Sequence, residues 1–261
     1  MEEFVTRARS ALAAVLIETA ERSGGVFREE KGLLLVAGNH PCPVFINSAL
    51  RTGAMGAAEV FRRAEAFFGA LGRGWETWVR AGVDADLQQV AEKAGLSAAP
   101  VLVGMVLDSR PVFLDVPRNV ELCRVGDTAA TRDFANVAAD GLAEEAPGFC
   151  DLVRTTFSDR RSLVASDTAA FVVRYRAEPV ATALTMVKEG VAWIGWVATR
   201  PRFRGRGFAR LATAAAVRAG FTLGATFASL EATTMGVPVY SKLGFREVVR
   251  YSNYWPARFG R

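Results

Sequence analysis

Val191-Ala192-Trp193-Ile194-Gly195-Trp196-Val197-Ala198-Thr199-Arg200-Pro201-Arg202-Phe203-Arg204-Gly205-Arg206-Gly207-Phe208-Ala209-Arg210 holds a strand, a glycine-bearing turn and the opening of a helix in twenty residues. The strand ends near Thr199. The helix opens near Gly207 and places Phe208, Leu211, Ala212, Ala215 and Ala219 on one face, small enough to pack closely on a sheet. Such a junction is an anion site. The first N–H groups of a helix have no intrahelical partner, and the helix dipole favours negative charge there. Gly205 and Gly207 let the backbone approach a bulky phosphate without a Cβ in the way. Arg200, Arg202, Arg204, Arg206 and Arg210 put five guanidinium groups within eleven residues. One exposed dipole–charge contact is worth only about 0.3–1 kcal/mol, so several must act together to hold a pyrophosphate.

The spacing narrows the choice of anion. A dinucleotide fingerprint needs a third small residue where Arg210 stands, and a P-loop needs Gly-Lys-Ser/Thr, which is absent here. An arginine cluster suits nucleic acid in general, but one short loop is a small footprint for it.

Working outward, the spacing predicts a helix over 4–22, ended by Gly24-Gly25, then strands at 33–37 and 44–50. A helix over 57–71 and a strand at 75–81 follow. Asp84 is read as the N-cap of a helix reaching Ala94, and a strand at 101–107 closes the first half. Residues 108–118 read as the linker. The second half opens with a strand at 121–125, a helix capped by Asp127 and running through Ala139, and a helix over 148–157. Strands at 169–176, 179–187 and 191–199 precede the helix from Gly207 to Ala219, a strand at 226–232, a helix at 237–243 and a final strand at 247–254. The two halves share this order of parts, including matched stops at Lys93-Ala94-Gly95-Leu96 and Lys242-Leu243-Gly244-Phe245, and so read as a diverged internal repeat.

The arginine–glycine turn, Arg202-x-x-Gly205-x-Gly207, after a strand ending Trp-Val-Ala-Thr and before an Ala-rich helix, resembles the pyrophosphate-binding motif of the GNAT N-acetyltransferases. About thirty residues on, Gly236-Val-Pro-Val-Tyr240-Ser-Lys-Leu-Gly-Phe245 resembles that family's later motif, with a tyrosine five before a phenylalanine. The resemblance covers about 120–261. The first half looks like a degenerate copy, because Leu50-Arg51-Thr52-Gly53-Ala54-Met55-Gly56 lacks the arginine–glycine spacing.

The resemblance implies an α/β (α+β) protein of two GNAT-like lobes, 1–115 and 116–261. Each lobe would be a mixed, mostly antiparallel sheet flanked by helices, with a splayed parallel strand pair. It implies an acetyltransferase that moves acetyl from acetyl-CoA directly to a primary amine, with coenzyme in the second lobe, a first lobe that is structural or helps form the acceptor site, and no metal. Carried over residue by residue, Val197, Ala198 and Thr199 would pair with the pantetheine arm and face the thioester oxygen. Arg202, Arg204, Gly205, Arg206, Gly207, Phe208, Ala209 and Arg210 would hold the pyrophosphate. Tyr240 would be the general acid, apt because a phenol of pKa about 10 keeps its proton at neutral pH. Glu231 is the candidate general base, with Asp167 and Glu178 weaker ones. Thr233 stands where many members carry asparagine. Trp193, Trp196, Phe203, Tyr254 and Trp255 are candidates to shape the acceptor pocket.

The totals set the outer limits. The net charge of +5 suits an anionic partner without naming one. His40 is the only histidine, so a multi-histidine metal site is excluded, and Gly38-Asn39-His40-Pro41 reads as a turn. Cys42, Cys123 and Cys150 are odd in number and scattered, which suits reduced thiols and a cytoplasmic setting. No apolar run approaches about 18 residues, so no membrane partner is expected, and neither is a nucleic acid. A small-molecule or peptide amine and a monomer or homodimer are the expected partners. The rival reading is a non-catalytic acyl-CoA-binding sensor or regulatory protein.

Overall fold

Helix α1 (Glu2–Arg22) buries Leu12, Val15 and Leu16 on one side, as its periodicity requires. The computed structural model describes residues 1–43, 45–110, 115–144 and 148–256. After α1 come β1 (Val26–Glu30), β2 (Leu33–Ala37), β3 (Ser48–Arg51), α2 (Ala57–Leu71), β4 (Glu76–Arg80), α3 (Ala85–Lys93), β5 (Ser97–Ala98) and β6 (Leu102–Leu107). The second half supplies β7 (Val120–Arg124), α4 (Thr128–Gly141), α5 (Phe149–Thr156), β8 (Thr168–Tyr175), β9 (Glu178–Lys188), β10 (Val191–Thr199), α6 (Phe208–Thr222), β11 (Phe227–Ala232), α7 (Val237–Ser241) and β12 (Arg246–Trp255). Part of the expected linker, residues 111–114, lies outside the described residues.

All twelve strands join one sheet in the order β1-β2-β3-β4-β12-β6-β11-β10-β9-β8-β7, with β5 on the flank of β12. This order has a pseudo-twofold centre between β12 and β6. It relates β4 to β11, β3 to β10, β2 to β9 and β1 to β8. Both parallel pairs, β3 with β4 and β10 with β11, sit at equivalent places. Strand β6, the last strand of the first half, pairs with β11, while β12, the last of the second half, pairs with β4. Each lobe therefore receives a strand from the other. The fold is a mixed α/β one whose sheet is mostly antiparallel.

Strand alternation sorts the core onto two faces. On one, a core shared by both lobes gathers Leu12 and Leu16 of α1 with Trp78, Tyr251, Phe134 and Trp193. The other face carries two separate cores, one under α6 and one under α2 and α3. Helix α1 packs on β1, β2, β9, β10 and β12, so it straddles the lobes.

Two local expectations change. Asp127 caps α4, accepting from Ala130 N at 2.8 Å. Asp84 does not cap α3 with its side chain, because Arg51 and Arg80 hold it at 2.6 and 2.8 Å. Of the strand expected over 44–50, residue 44 lies outside the described residues and the strand starts at Ser48, Asn47 tying the loop before it. Its Oδ1 accepts from Gly38 N at 2.9 Å, and its Nδ2 donates to His40 O at 2.8 Å. His40 itself sits in that loop, accepting from Cys42 N through Nδ1 at 3.1 Å.

Candidate active site

Strands β10 and β11 pair only at Val191–Phe227, Ala192–Ala228 and Trp193–Ser229. Beyond that β11 stays on β6 while β10 stays on β9, so the two part. A bulge between Gly195 and Ala198 turns β10 further. Within it Trp196 takes a left-handed backbone, φ 52°, and its carbonyl accepts from Thr182 Oγ1 at 2.9 Å. The parting opens a cavity of about 770 Å³.

One end of the cavity is the arginine–glycine turn. A 3-10 turn at Pro201–Phe203 leads into it, and Gly205 and Gly207 hold φ 78° and 81°. L-residues avoid this geometry, which explains glycine at both positions. A Cβ built on either meets no protein atom within 4 Å, so the space beside the backbone is open. Helix α6 starts at Phe208 with no side-chain cap, leaving its first N–H groups without partners in the helix. Gly205, Arg206, Gly207, Phe208, Ala209 and Arg210 line the cavity, as does Arg204.

The guanidinium groups are mostly engaged with the protein. Arg200 pairs with Asp140 at 3.0 Å, Arg202 pairs with Glu178, and Arg204 donates to Gly141 O at 3.0 Å. Arg206 lies over the rings of Tyr175 and Phe203. Arg202 is not among the lining residues. The anion-holding capacity of this turn thus rests on backbone N–H groups, with the arginines bracing the loop and setting its potential.

The middle of the cavity is lined by Val197, Ala198 and Thr199 from β10, and by Tyr240, Thr233 and Glu231. Tyr240 is buried on α7, its ring 6.1 Å from that of Phe245. Glu231 accepts from Trp193 Nε1 at 2.9 Å. Burial pushes its carboxyl up to about 7, and the Trp193 bond only partly offsets that. Burial, then the charge of Glu231, pushes the neighbouring Tyr251 up to about 12. Asp167 and Glu178 lie elsewhere. Asp167 pairs with Arg22 and Lys188, Glu178 with Arg200 and Arg202. Among the aromatics, Trp193, Trp196, Phe203 and Trp255 line the cavity, whereas Tyr254 belongs to the core under α2.

Sequence reasoning named no residue by which the first half helps to form the site. Phe45, Glu76 and Trp78 line the same cavity, as does Asn253 of the exchanged strand β12. Glu76 is 3% exposed and accepts from Phe45 N at 2.8 Å and Asn253 Nδ2 at 3.1 Å. Burial pushes this carboxyl, too, up to about 7. A signal existed: in Trp75-Glu76-Thr77-Trp78-Val79 an acid stands next to Trp75 at the start of an apolar-rich strand, a costly arrangement without a purpose.

The equivalent gap between β3 and β4 is knitted shut. Arg51 bonds Asp84 and Asp86, each at 2.6 Å, Arg80 bonds Asp84, and Arg9 donates to Arg51 O at 2.7 Å. Among the described residues no group of histidine, cysteine and acidic side chains could hold a metal ion, and no helix is long and apolar enough to cross a membrane.

Comparison with known proteins follows this division. Residues 138–245 match the family model described as Acetyltransferase (GNAT) family. No curated protein matches the sequence significantly. Among solved structures, a GCN5-related N-acetyltransferase from Kribbella flavida superposes with a TM-score of 0.72 at 20% identity, covering 96% of this chain and 95% of that one. A functionally unknown conserved protein from Staphylococcus epidermidis gives 0.64 at 13% identity, covering 89% and 94%. A tandem GNAT protein from the clavulanic acid biosynthesis pathway gives 0.58 at 14%, covering 88% and 78%. At these identities the likeness is one of fold.

Proposed function

We propose that this chain, a tandem protein whose residues 138–245 form a GNAT acetyltransferase domain, transfers the acetyl group of acetyl-CoA to a primary amine. The observation that carries the reading is one cavity with an open glycine cradle and an uncapped helix start at one end, and Glu231 and Tyr240 further in.

The chemistry follows from those groups. Backbone N–H groups of the Gly205–Arg210 turn bind the pyrophosphate of the coenzyme. Arg202 contributes by anchoring the turn through Glu178. Main-chain groups of Val197, Ala198 and Thr199, left without strand partners on the side facing β11, receive the pantetheine arm. An N–H aimed at the thioester oxygen stabilises the oxyanion that forms when the amine attacks, a contribution of about 3 kcal/mol where such donors have been removed. Glu231, poised near neutral pH, takes a proton from the ammonium so that its nitrogen lone pair can attack. Tyr240 gives a proton to the departing thiolate. Acyl passes directly from sulfur to nitrogen, and no cysteine lines the cavity.

Calorimetric titration with acetyl-CoA tests the donor half, with Gly205→Glu as the control. Micromolar binding that vanishes in the variant is expected. Absence of binding to the wild-type protein would overturn the reading.

A further inference from the structure

Beyond the coenzyme-facing part, the cavity wall is built by both lobes. Phe45 of the first half stacks on Trp193 of the second, ring centroids 5.6 Å apart, and meets Trp196 edge-on at 5.1 Å. Phe149 stacks on the other side of this group, 6.1 Å from Trp196. The Phe45–Trp193 pair is bracketed by two acids. Trp193 Nε1 donates to Glu231, and Phe45 N donates to Glu76. One carboxyl group is thus tied to each residue of the stacked pair.

The Glu76 end has hydrogen-bonding capacity to spare. Its two carboxylate oxygens accept one donor each, from Phe45 N and Asn253 Nδ2, and each can accept another. Trp78 and Ser48 lie close enough to favour its charge, but their hydrogens are directed elsewhere. Trp78 Nε1 donates to Ser48 Oγ at 3.0 Å, and Ser48 Oγ donates to Phe45 O. Asn253 lines the cavity, is 2% exposed, and its Oδ1 takes no hydrogen bond among the described residues. A buried acceptor left unpaired is costly, and a ligand donor in the right place would recover that cost. Glu76 and Asn253 Oδ1 together form a donor-seeking corner that the acetyl-transfer chemistry does not use.

We propose that the acceptor is a flat or aromatic amine carrying a second cationic, hydrogen-bond-donating group, which Glu76 and Asn253 recognise while the reacting amine faces Glu231. This rests on the acetyltransferase reading and deepens it. The first lobe becomes the part that selects the acceptor, and Glu76 and Asn253 are binding rather than catalytic residues. A monoamine of the same body leaves the corner unpaired and is discriminated against.

The test compares p-xylylenediamine, 4-(hydroxymethyl)benzylamine and benzylamine as probes. Binding is followed by intrinsic fluorescence of the cavity tryptophans in the presence of coenzyme A, with acetyl-CoA affinity measured separately by calorimetry. The diamine is expected to bind about tenfold more tightly than benzylamine. Glu76→Gln should abolish that preference and leave acetyl-CoA affinity unchanged. The variant remains foldable: the introduced amide oxygen keeps the Phe45 bond, and Asn253 can turn its own amide to accept from the introduced NH₂. Asn253→Leu, which removes the unpaired Oδ1 by another route, should also lower the preference. Equal binding of diamine and benzylamine by the wild type, no binding of any probe, or a preference surviving in both variants would overturn the proposal. A hydroxymethyl analogue binding as tightly as the diamine would overturn its cationic part. Loss of acetyl-CoA binding with the diamine preference intact would instead remove the donor reading and leave the cation-binding corner standing.

Discussion

Phe45 and Trp196 come from opposite lobes, each holds a left-handed backbone, at φ 59° and 52°, and their rings meet edge to face. This geometry costs a non-glycine residue about 1–2 kcal/mol, and such residues cluster where surrounding structure imposes them. At Phe45 the imposing contacts are its N–H on Glu76 and its ring on two tryptophans. Glycine normally destabilises relative to alanine. Here the order should reverse, with Phe45→Gly more stable than Phe45→Ala by about 1 kcal/mol. Urea unfolding of both variants measures it, and the usual order would mean that the backbone is not strained there.

Glu231 must be ionised to accept a proton, and its carboxyl sits at about 7. We therefore expect kcat/KM to fall about tenfold per pH unit below about 7 and to level off above it. Glu231→Gln should lower kcat by about a hundredfold or more and leave acetyl-CoA affinity unchanged. A kcat profile at saturating acceptor, where acceptor binding by Glu76 does not enter, that still titrates near 7 in the variant would assign the base elsewhere.

Glu76 bears on stability as well. Its folded value of about 7 lies above the ordinary 4.5, so the neutral form is the one the fold favours. The associated stability is complete below pH 4.5 and is lost as pH rises to about 7. The loss is up to about 3 kcal/mol. Glu76→Gln should flatten this part of the stability–pH curve. Denaturant midpoints for both proteins, taken from the ordinary carboxylate range to above neutrality, decide the matter.

In Gly207→Ala the added methyl meets no protein atom, so the stability lost should be only the roughly 1–2 kcal/mol of the left-handed backbone. The methyl would instead stand in the open cradle beside the chain. Acetyl-CoA affinity should drop by at least about tenfold, or more than about 1.4 kcal/mol. Unchanged affinity would place the pyrophosphate elsewhere.

Asp84 carries the closed gap of the first lobe. Burial works against its charge, but bonds from Arg80 and Arg51 outweigh it and hold the carboxyl well below the ordinary range. Its stability contribution is present above pH 3.8 and fades as pH falls further. Asp84→Asn takes the carboxylate from Arg80 and leaves Arg51 with Asp86 alone, and should destabilise by about 3 kcal/mol, with acetyl-CoA affinity untouched. Chemical unfolding alongside calorimetry separates the two effects.

Legibility in the sequence follows the range of the forces involved. Helix α2 and strand β2 begin and end where period and glycine stops put them, because local pattern decides both. Strand β1 is invisible there: Val26-Phe27-Arg28-Glu29-Glu30 is an exposed edge strand with no buried face to impress a pattern on it. Asp84 stands at the N-cap of α3 as its sequence suggests, but its side chain is claimed by Arg51, 33 residues away, rather than by the helix. Of the cavity, the glycine turn and Tyr240 are readable because each sits in one continuous motif, and Glu231 because it stands near the end of a strand expected to splay. Phe45, Glu76 and Asn253 are not. They reach the cavity only through the pairing of β12 with β4, which no local spacing encodes.

The exchange of β6 and β12 has an ancestral corollary. A chain with one copy of this unit could complete its sheet only by trading its last strand with a second molecule. Gene fusion would turn that obligate handshake between twins into a bond within one polypeptide. Once joined, the twins no longer had to be identical. In this chain they differ: Arg51 and Arg80 grip Asp84 beside one parallel pair of strands, while the other parts over the cavity.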